Sequence, residues 1–332
     1  MKLRIGLIGL GDGWQNRHRP ALRMLQDRFD VRAIYSTVSK LAENAAAEFQ
    51  ADPVDGYQAL VSRCDIDAVL VLQRSWLGWL PMLAACQAGK AIYWAGDLDF
   101  DPADADRIRE TIDRSGIAFM TELPKRFAPA TLRLKELIAT RLGLPRLVFC
   151  HRRVQPETAS QKTSCDPNNP LHQELVELID WTRYVVGREP ECVVSTGLNH
   201  TVPADYECMS LQFAPREDLP GVTAQISCGS YIRPTWHEAV SFRPPSAMQI
   251  CCQRGVAFID LPSTLVWFDD AGRHLESLET ELPVGQQLLT QFYRAVTSLV
   301  RNMSDLDDVC RSATILAAAR ESSRSGSRID LN

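Results

Sequence analysis

Apolar positions follow two rhythms along this chain. From Leu3 to Thr140, short apolar runs alternate with amphipathic stretches. Leu3, Ile5, Leu7 and Ile8 open the chain, and Asp67-Ala-Val-Leu-Val-Leu72 and Ala91-Ile-Tyr-Trp94 repeat the type. Runs that are apolar on both faces predict buried parallel strands, and Val31–Ser36 and Ile117–Met120 complete the set. Helices are predicted from Arg19–Pro20, over Lys40–Phe49, Trp76–Ala88, Pro102–Ser115 and Pro129–Thr140. Asp101 is a good N-cap, and Gly89 and Gly116 are good stops. Pro20 is tolerated in a first turn, where its missing N–H had no partner anyway. Strand and helix in alternation predict a doubly wound parallel sheet with helices on both faces.

Near Arg146 the rhythm changes. Arg146–Arg153 reads as a strand, Ala159–Asn169 as a long polar loop, and Leu171–Val186 as a helix with Leu171, Leu175, Leu178, Ile179 and Val186 at helical spacing. Strands without intervening helices follow at Cys192–Ser195, Cys208–Phe213, Thr223–Ser230, Ala247–Cys252 and Val256–Asp260. Val266–Gly272 reads as a strand entering a hairpin turn. Gln286–Arg301 and Leu306–Arg324 close the chain as helices. The expectation is an α/β protein: a Rossmann-type doubly wound domain over residues 1–123, then an α+β domain over 124–332 with a large open mixed or antiparallel sheet. The final helix is free to return to the first domain.

The stretch Leu3–Leu22 carries the first chemical signal. A strand, then Gly9, Gly11 and Gly13, then a helix is the geometry that brings backbone N–H groups to a pyrophosphate. Gly9 would make the tight turn, and Gly11 would let a phosphate approach where a Cβ would block it. The dinucleotide fingerprint wants a third glycine where this chain has Trp14, so the loop Gly11-Asp12-Gly13-Trp14 is re-spaced. A glycine turn that merely joins strand to helix would read the same way. The ribose position at the end of the second strand is Ser36, followed by Thr37, Ser39 and Lys40. An acid there would bond the 2′-hydroxyl of NAD, whereas hydroxyls and a lysine tolerate a 2′-phosphate. NADP is therefore the preferred cofactor and NAD the alternative. Ser and Thr are equally apt as plain helix caps.

Composition narrows the class. At 332 residues two domains are expected, and 45% hydrophobic residues are ordinary for a globular protein. A net charge of -5 gives no footprint for nucleic acid or an anionic membrane. No window has ~18 uninterrupted apolar residues. The first strand begins at Leu3, which leaves no room for a signal peptide, and the ten cysteines are scattered without CxxC spacing. A cytoplasmic protein with buried thiols and no bound metal is expected.

Taken together, these motifs resemble the glucose–fructose oxidoreductase / inositol dehydrogenase / MocA family. The likeness rests on Ile5–Gly11 with His18 and Pro20, Asp67–Leu72, Ala88-Gly89-Lys90 before a strand, and Arg126-Phe127 with Pro129 and Leu134–Ile138. It continues at Asp180 with Trp181 and Gly187, and in the tail Ala318–Gly326. The resemblance implies a Rossmann domain, an open-sheet second domain, and NAD(P)-linked hydride transfer on a sugar, cyclitol or related alcohol.

The departures fall where the chemistry would sit. The family's Glu-Lys-Pro, whose lysine lies at the reacting carbon, reads Ala95-Gly96-Asp97 here. Its Asp-x-Gly-x-His supplies a substrate-binding aspartate and a histidine acid/base, and those two positions read Gln173 and Glu177. Alcohol oxidation needs a base for the hydroxyl proton, and Glu177 can serve if burial tunes it. Gln173 shares its helix face at i, i+4. Lys125 precedes Arg126-Phe127 in a loop that the resemblance places by the nicotinamide, where it can replace the lost lysine; a solvated lysine is the alternative reading, of equal weight. Gln73 and Arg74 stand at the cofactor edge, beside Trp76 and Trp79. The rival to an altered enzyme is a catalytically inactive dinucleotide- or sugar-binding protein of the same fold. An open sheet with apolar residues on both faces also predicts a homodimer or homotetramer built through residues of about 190–270.

Overall fold

The computed structural model describes residues 2–73, 77–96, 102–154, 170–197, 206–216, 219–229, 232, 236, 238–239, 242, 245–298 and 304–331. The chain divides into two compact units, Met1–Pro124 with Leu282–Cys310, and Lys125–Glu281 with Arg311–Asn332.

The first unit is built on a six-stranded parallel sheet in the order β3-β2-β1-β4-β5-β6. Its strands are β1 (Leu3–Ile8), β2 (Phe29–Tyr35), β3 (Asp52–Pro53), β4 (Ala68–Val71), β5 (Ala91–Trp94) and β6 (Phe119–Thr121). Every residue of β4 and β5 is buried, which is why these segments read as unbroken apolar runs. Helices α1 (Arg19–Met24), α2 (Ser39–Phe49), α3 (Tyr57–Val61), α4 (Leu80–Gln87) and α5 (Pro102–Ser115) connect the strands. Gly89 and Gly116 sit past the ends of α4 and α5 in the left-handed region, as the sequence predicts. The strand order reverses between β1 and β4, the switch point where ligands bind in such sheets. Several predicted boundaries shift, two of them near the glycine turn and the cleft. The first helix is preceded by a wide π turn over Trp14–His18, and the helix expected from Trp76 begins at Leu80. Strand β3 and helix α3 have two and five residues, too few to carry a readable period.

In the second unit nine strands form one mixed sheet in the order β14-β13-β12-β11-β7-β10-β9-β8-β15. These are β7 (Pro145–Arg153), β8 (Cys192–Gly197), β9 (Tyr206–Phe213), β10 (Val222–Gly229), β11 (Met248–Cys252), β12 (Val256–Asp260), β13 (Thr264–Asp269), β14 (Gly272–Ser277) and β15 (Ile329–Asp330). The central pair β7–β10 is parallel, and the other described pairs are antiparallel. Strand β15 escapes sequence reading because two residues at a sheet edge show no alternation. Helix α6 (Pro129–Leu137) and helix α7 (Pro170–Val186) belong to this unit, while α8 (Val284–Thr297) belongs to the first and α9 (Ser304–Ser325) has residues in both. One sheet face buries Val148, Cys150, Ala224, Ile226, Ile250 and Ile259. Trp181, fully buried on α7, donates through its indole N–H to Thr131 Oγ1 on α6 at 2.9 Å. The other face carries a cross-strand row through Val194, Ser210, Gln225, Phe149, Gln249, Phe258, Val266 and Leu275. Val194 is 41% exposed and Leu275 64%. No helix of the described residues is long and apolar enough to cross a membrane.

Candidate active site

The glycine turn lies at the carboxyl end of β1. Gly9 has φ +77°, a conformation open to glycine at little cost. Its N–H donates to the Tyr35 carbonyl at 2.8 Å, tying the turn to β2. Gly11 has a reason of its own beyond any ligand: a Cβ there would lie 2.5 Å from the Leu72 carbonyl oxygen, so the turn rests directly on the end of β4. Beside it, Ile8, Gly9, Tyr35, Thr37, Gln73, Leu77, Gly78 and Pro81 line a cleft at the switch point. A glycine turn at the switch point is the backbone arrangement that meets a pyrophosphate in such sheets, although the cleft beside it is small.

The other residues proposed for the cofactor are spread around this turn. Ser36 is buried, and its hydroxyl accepts the Val38 N–H at 3.3 Å, a local turn contact. Lys40 is exposed on α2 and pairs with Glu43 at 3.2 Å. Asp12 is exposed, whereas Trp14 is buried with its ring centroid 5.9 Å from that of Phe49. Trp14 thus closes helix against helix where the fingerprint has glycine. Arg74 and Asp97 lie outside the described residues.

Beside the turn sits a group of which the sequence singles out His18 alone. Glu122 follows β6 and is buried, accepting from the Tyr93 hydroxyl at 2.8 Å, from the Arg17 guanidinium and from His18 Nε2 at 2.6 Å. The His18 ring packs against Gly13, where a Cβ would come within 2.9 Å of Cε1. Glu122 already has a permanent cation in Arg17, so a second charge on the buried imidazole has no compensation. Burial, with the Arg17 charge added to it, pushes His18 down to about 3. The folded-state value is thus below the unfolded one near 6.5. Between the two the unfolded chain binds the extra proton. This share of stability is complete above pH ~6.5 and is lost as pH falls toward 3. Acid titration followed by circular dichroism should show that loss in the parent and a flatter profile in His18→Gln.

The second unit gathers the residues proposed for catalysis. Lys125, in the turn before α6, is 14% exposed and meets Glu177 Oε2 at 2.5 Å and Glu174 Oε1 at 3.1 Å. Both carboxylates project from α7, one turn apart, and Gln173 Nε2 donates to Glu177 Oε1 at 3.3 Å. Burial works to lower the Lys125 pKa, but Glu177 and Glu174 outweigh it and push it up to about 12. Lys125 is therefore a permanent ammonium at neutral pH, suited to polarising an oxygen and unsuited to exchanging protons. One turn further along α7, Asp180 accepts a bidentate pair from Arg126, one contact being 2.7 Å from Nε. Arg183 Nη1 stands 3.7 Å from the same carboxylate and bonds Ser312 at 2.9 Å. The structure thus brings Lys125, Gln173 and Glu177 together and adds Glu174, which motif matching passes over. Two carboxylates three residues apart on a largely apolar helix call for a cation from elsewhere, and that signal was available.

Comparison with known proteins bears first on the Rossmann part of the chain. Residues 3–122 match the model of an oxidoreductase family with an NAD-binding Rossmann fold, GFO_IDH_MocA. The chain is 32% identical over 123 residues to the dTDP-3,4-didehydro-2,6-dideoxy-alpha-D-glucose 3-reductase of Actinomadura kijaniata, covering 36% of this chain and 35% of that protein. It is 22% identical over 245 residues to the 2,7-anhydro-N-acetylneuraminate hydratase of Mediterraneibacter gnavus, covering 72% of this chain and 63% of that one. The matched segment thus spans less than two thirds of either relative's length. Over its whole length the fold matches the aldose-aldose oxidoreductase from Caulobacter crescentus, with a TM-score of 0.82, 15% identity and 100% of both chains covered. Residues 3–122, the Rossmann domain, are thus similar to the GFO_IDH_MocA oxidoreductase family, the family that the sequence motifs resemble.

Proposed function

We propose that this chain is an NAD(P)-dependent oxidoreductase acting on a CH–OH group of a sugar, cyclitol or related alcohol, with Glu177 as proton acceptor and Lys125 as the group that polarises the substrate oxygen. The observation that carries this reading is the buried contact of Lys125 with Glu177, at the two positions that stand in for the family's lysine and histidine. The names of the sugar reductase and the aldose oxidoreductase support a sugar-like substrate. A bound nicotinamide dinucleotide would supply the hydride acceptor. Gly9, Gly11, Thr37 and Gln73 would hold it at the switch-point cleft. Glu177 takes the hydroxyl proton as the C–H bond breaks, Gln173 orients Glu177, and Lys125 stabilises the oxygen as it gains negative charge. The test is nicotinamide absorbance across a panel of sugars, cyclitols and sugar acids with both dinucleotides. Turnover on at least one member is expected. Dinucleotide binding without turnover would favour the inactive binding protein, and no binding at millimolar concentration would remove the basis for both.

NADP is preferred because no carboxylate stands at the Ser36–Thr37 turn and Lys40 lies one helical turn away. NADPH is expected to bind tighter than NADH, and Lys40→Glu to reverse that order, read by fluorescence titration. Assembly follows from the exposed row on the second sheet. Val194, Leu275 and Phe268 are apolar positions that a second copy of the sheet would cover. Light scattering at micromolar concentration is expected to give a dimer or tetramer, and a monomer would rule this interface out.

A further inference from the structure

We infer that Glu174, Lys125 and Glu177 act as one proton-accepting unit, in which Glu174 keeps Lys125 anchored and charged at the moment Glu177 becomes protonated. This rests on the oxidoreductase reading only for its use in turnover; the unit itself stands on geometry. One ammonium is shared by two carboxylates, at 2.5 Å and 3.1 Å, and all three side chains are largely buried. Two acids on one cation leave the triad one negative charge in excess. Uptake of a single proton brings it to neutrality, in surroundings that penalise net charge. Among the described residues, the buried groups that face the triad bring no charge to cancel the excess. Cys150 on β7 and Cys228 on β10 are thiols whose pKa values burial raises, so they stay neutral. Gln173 is neutral. The one further cation in ion-pair range among the described residues, Arg152 on β7, stands 3.8 Å from Glu174 and is more than half exposed, so water screens much of its charge.

The second carboxylate matters because of what Glu177 does next. If Lys125 had Glu177 alone, protonating Glu177 would leave a buried ammonium without an anion, at a cost that opposes the step. With Glu174 in place, Lys125 keeps one full ion pair throughout. An ammonium has three N–H donors; one goes to Glu177 at 2.5 Å, while Glu174 Oε1 at 3.1 Å lies in ion-pair range without accepting a hydrogen bond, so Lys125 keeps a donor for the substrate oxygen. In oxidation Glu177 would take the substrate O–H proton, a bound NAD(P)⁺ would supply the acceptor for the hydride from the C–H bond, and Lys125 would give up no proton. Glu174 is therefore a positioning residue and touches no reacting atom.

The test reads Lys125 directly. In protein labelled with ¹⁵N-lysine, the ¹H–¹⁵N correlation of the lysine Nζ groups reports each ammonium, and Lys125→Arg assigns the signal. Glu177→Gln mimics the protonated acid. Its Lys125 ammonium signal is expected to persist at pH 8, and the signal is expected to be lost at pH 8 in Glu174→Gln/Glu177→Gln. Loss in Glu177→Gln alone, or survival in the double variant, would overturn the inference. Should the double variant not fold, Glu174→Gln alone decides: its ammonium should disappear at a pH at least one unit below the parent's, a tenfold weaker hold on the proton. An unchanged midpoint would overturn it. In turnover, the alkaline limb of kcat/KM should move down with Glu174→Gln and return with Glu174→Asp, whereas a merely structural Glu174 would lower the melting temperature and leave that limb in place. The resonance measurement needs no turnover, so a chain with no hydride transfer at all would end the oxidoreductase reading and leave this one to be judged on the ammonium signal.

Discussion

Glu177→Gln is expected to lower turnover by about 10²–10⁴-fold while dinucleotide affinity stays within about twofold of the parent. The amide keeps the volume and the hydrogen bonds of the side chain, so packing on α7 is preserved. It cannot accept the hydroxyl proton, so the barrier rises in the chemical step alone. Glu177 is not among the residues that line the cleft at the glycine turn, which is why the dissociation constant should not follow kcat. Lys125→Met is expected to act in the same direction, with an added loss of stability, because Glu174 and Glu177 would then share a buried site without their cation. Stopped-flow absorbance for turnover and fluorescence titration for affinity separate the two effects. Parent-like turnover in both variants would move the site elsewhere.

Arg126→Gln is expected to be the most destabilising single change in the second unit. Asp180 is only 2% exposed, and Arg126 supplies its bidentate partner. Removing one member of such a pair leaves a buried carboxylate short of its compensation, a loss of ~3 kcal/mol or more. Arg183 remains at 3.7 Å, but its better contacts run to Glu189 at 2.6 and 2.7 Å, so it offers partial relief. In urea the midpoint should fall by roughly 1 M. Changing Asp180 to Asn at the same time should recover part of the loss, since the stranded charge is then gone. A midpoint equal to the parent's would mean that this pair does not hold α7 in place.

Where the chain's local pattern decided the outcome, the sequence was enough. The apolar runs at Leu3–Ile8, Ala68–Val71 and Ala91–Trp94 have no polar face, and a strand buried on both sides is their only comfortable setting. The change to consecutive strands after Cys192 likewise foretold a second sheet, and that sheet is mixed as expected. What stayed hidden depends on partners far along the chain. The parallel pairing of β7 with β10 joins segments more than 70 residues apart, and no local period encodes it. The Glu122 group is the clearest case at the level of side chains. Arg17, His18, Tyr93 and Glu122 come from three separate segments, of which the motifs single out His18 alone, and only the folded sheet brings them to one carboxylate. Trp14 shows the converse. Read against the glycine fingerprint it was a defect, yet in the fold it is a packing residue against Phe49, and the wide turn over Trp14–His18 takes up the altered spacing. The contact of Lys125 with Glu177 lay between these extremes. Motif position named both residues, but the second carboxylate on the same lysine became visible only when α7 and the Lys125 turn were placed together.

The measurement that bears most directly on the central claim is hydride transfer itself. The chain is incubated with NADP⁺ or NAD⁺ and a panel of sugars, cyclitols and sugar acids deuterated at their CH–OH carbons, and the nicotinamide product is weighed by mass spectrometry. The expected result is a reduced dinucleotide carrying one deuterium from at least one substrate, formed by the parent and nearly absent with Glu177→Gln. A dinucleotide left unreduced across the whole panel, under conditions where it binds, would contradict the account.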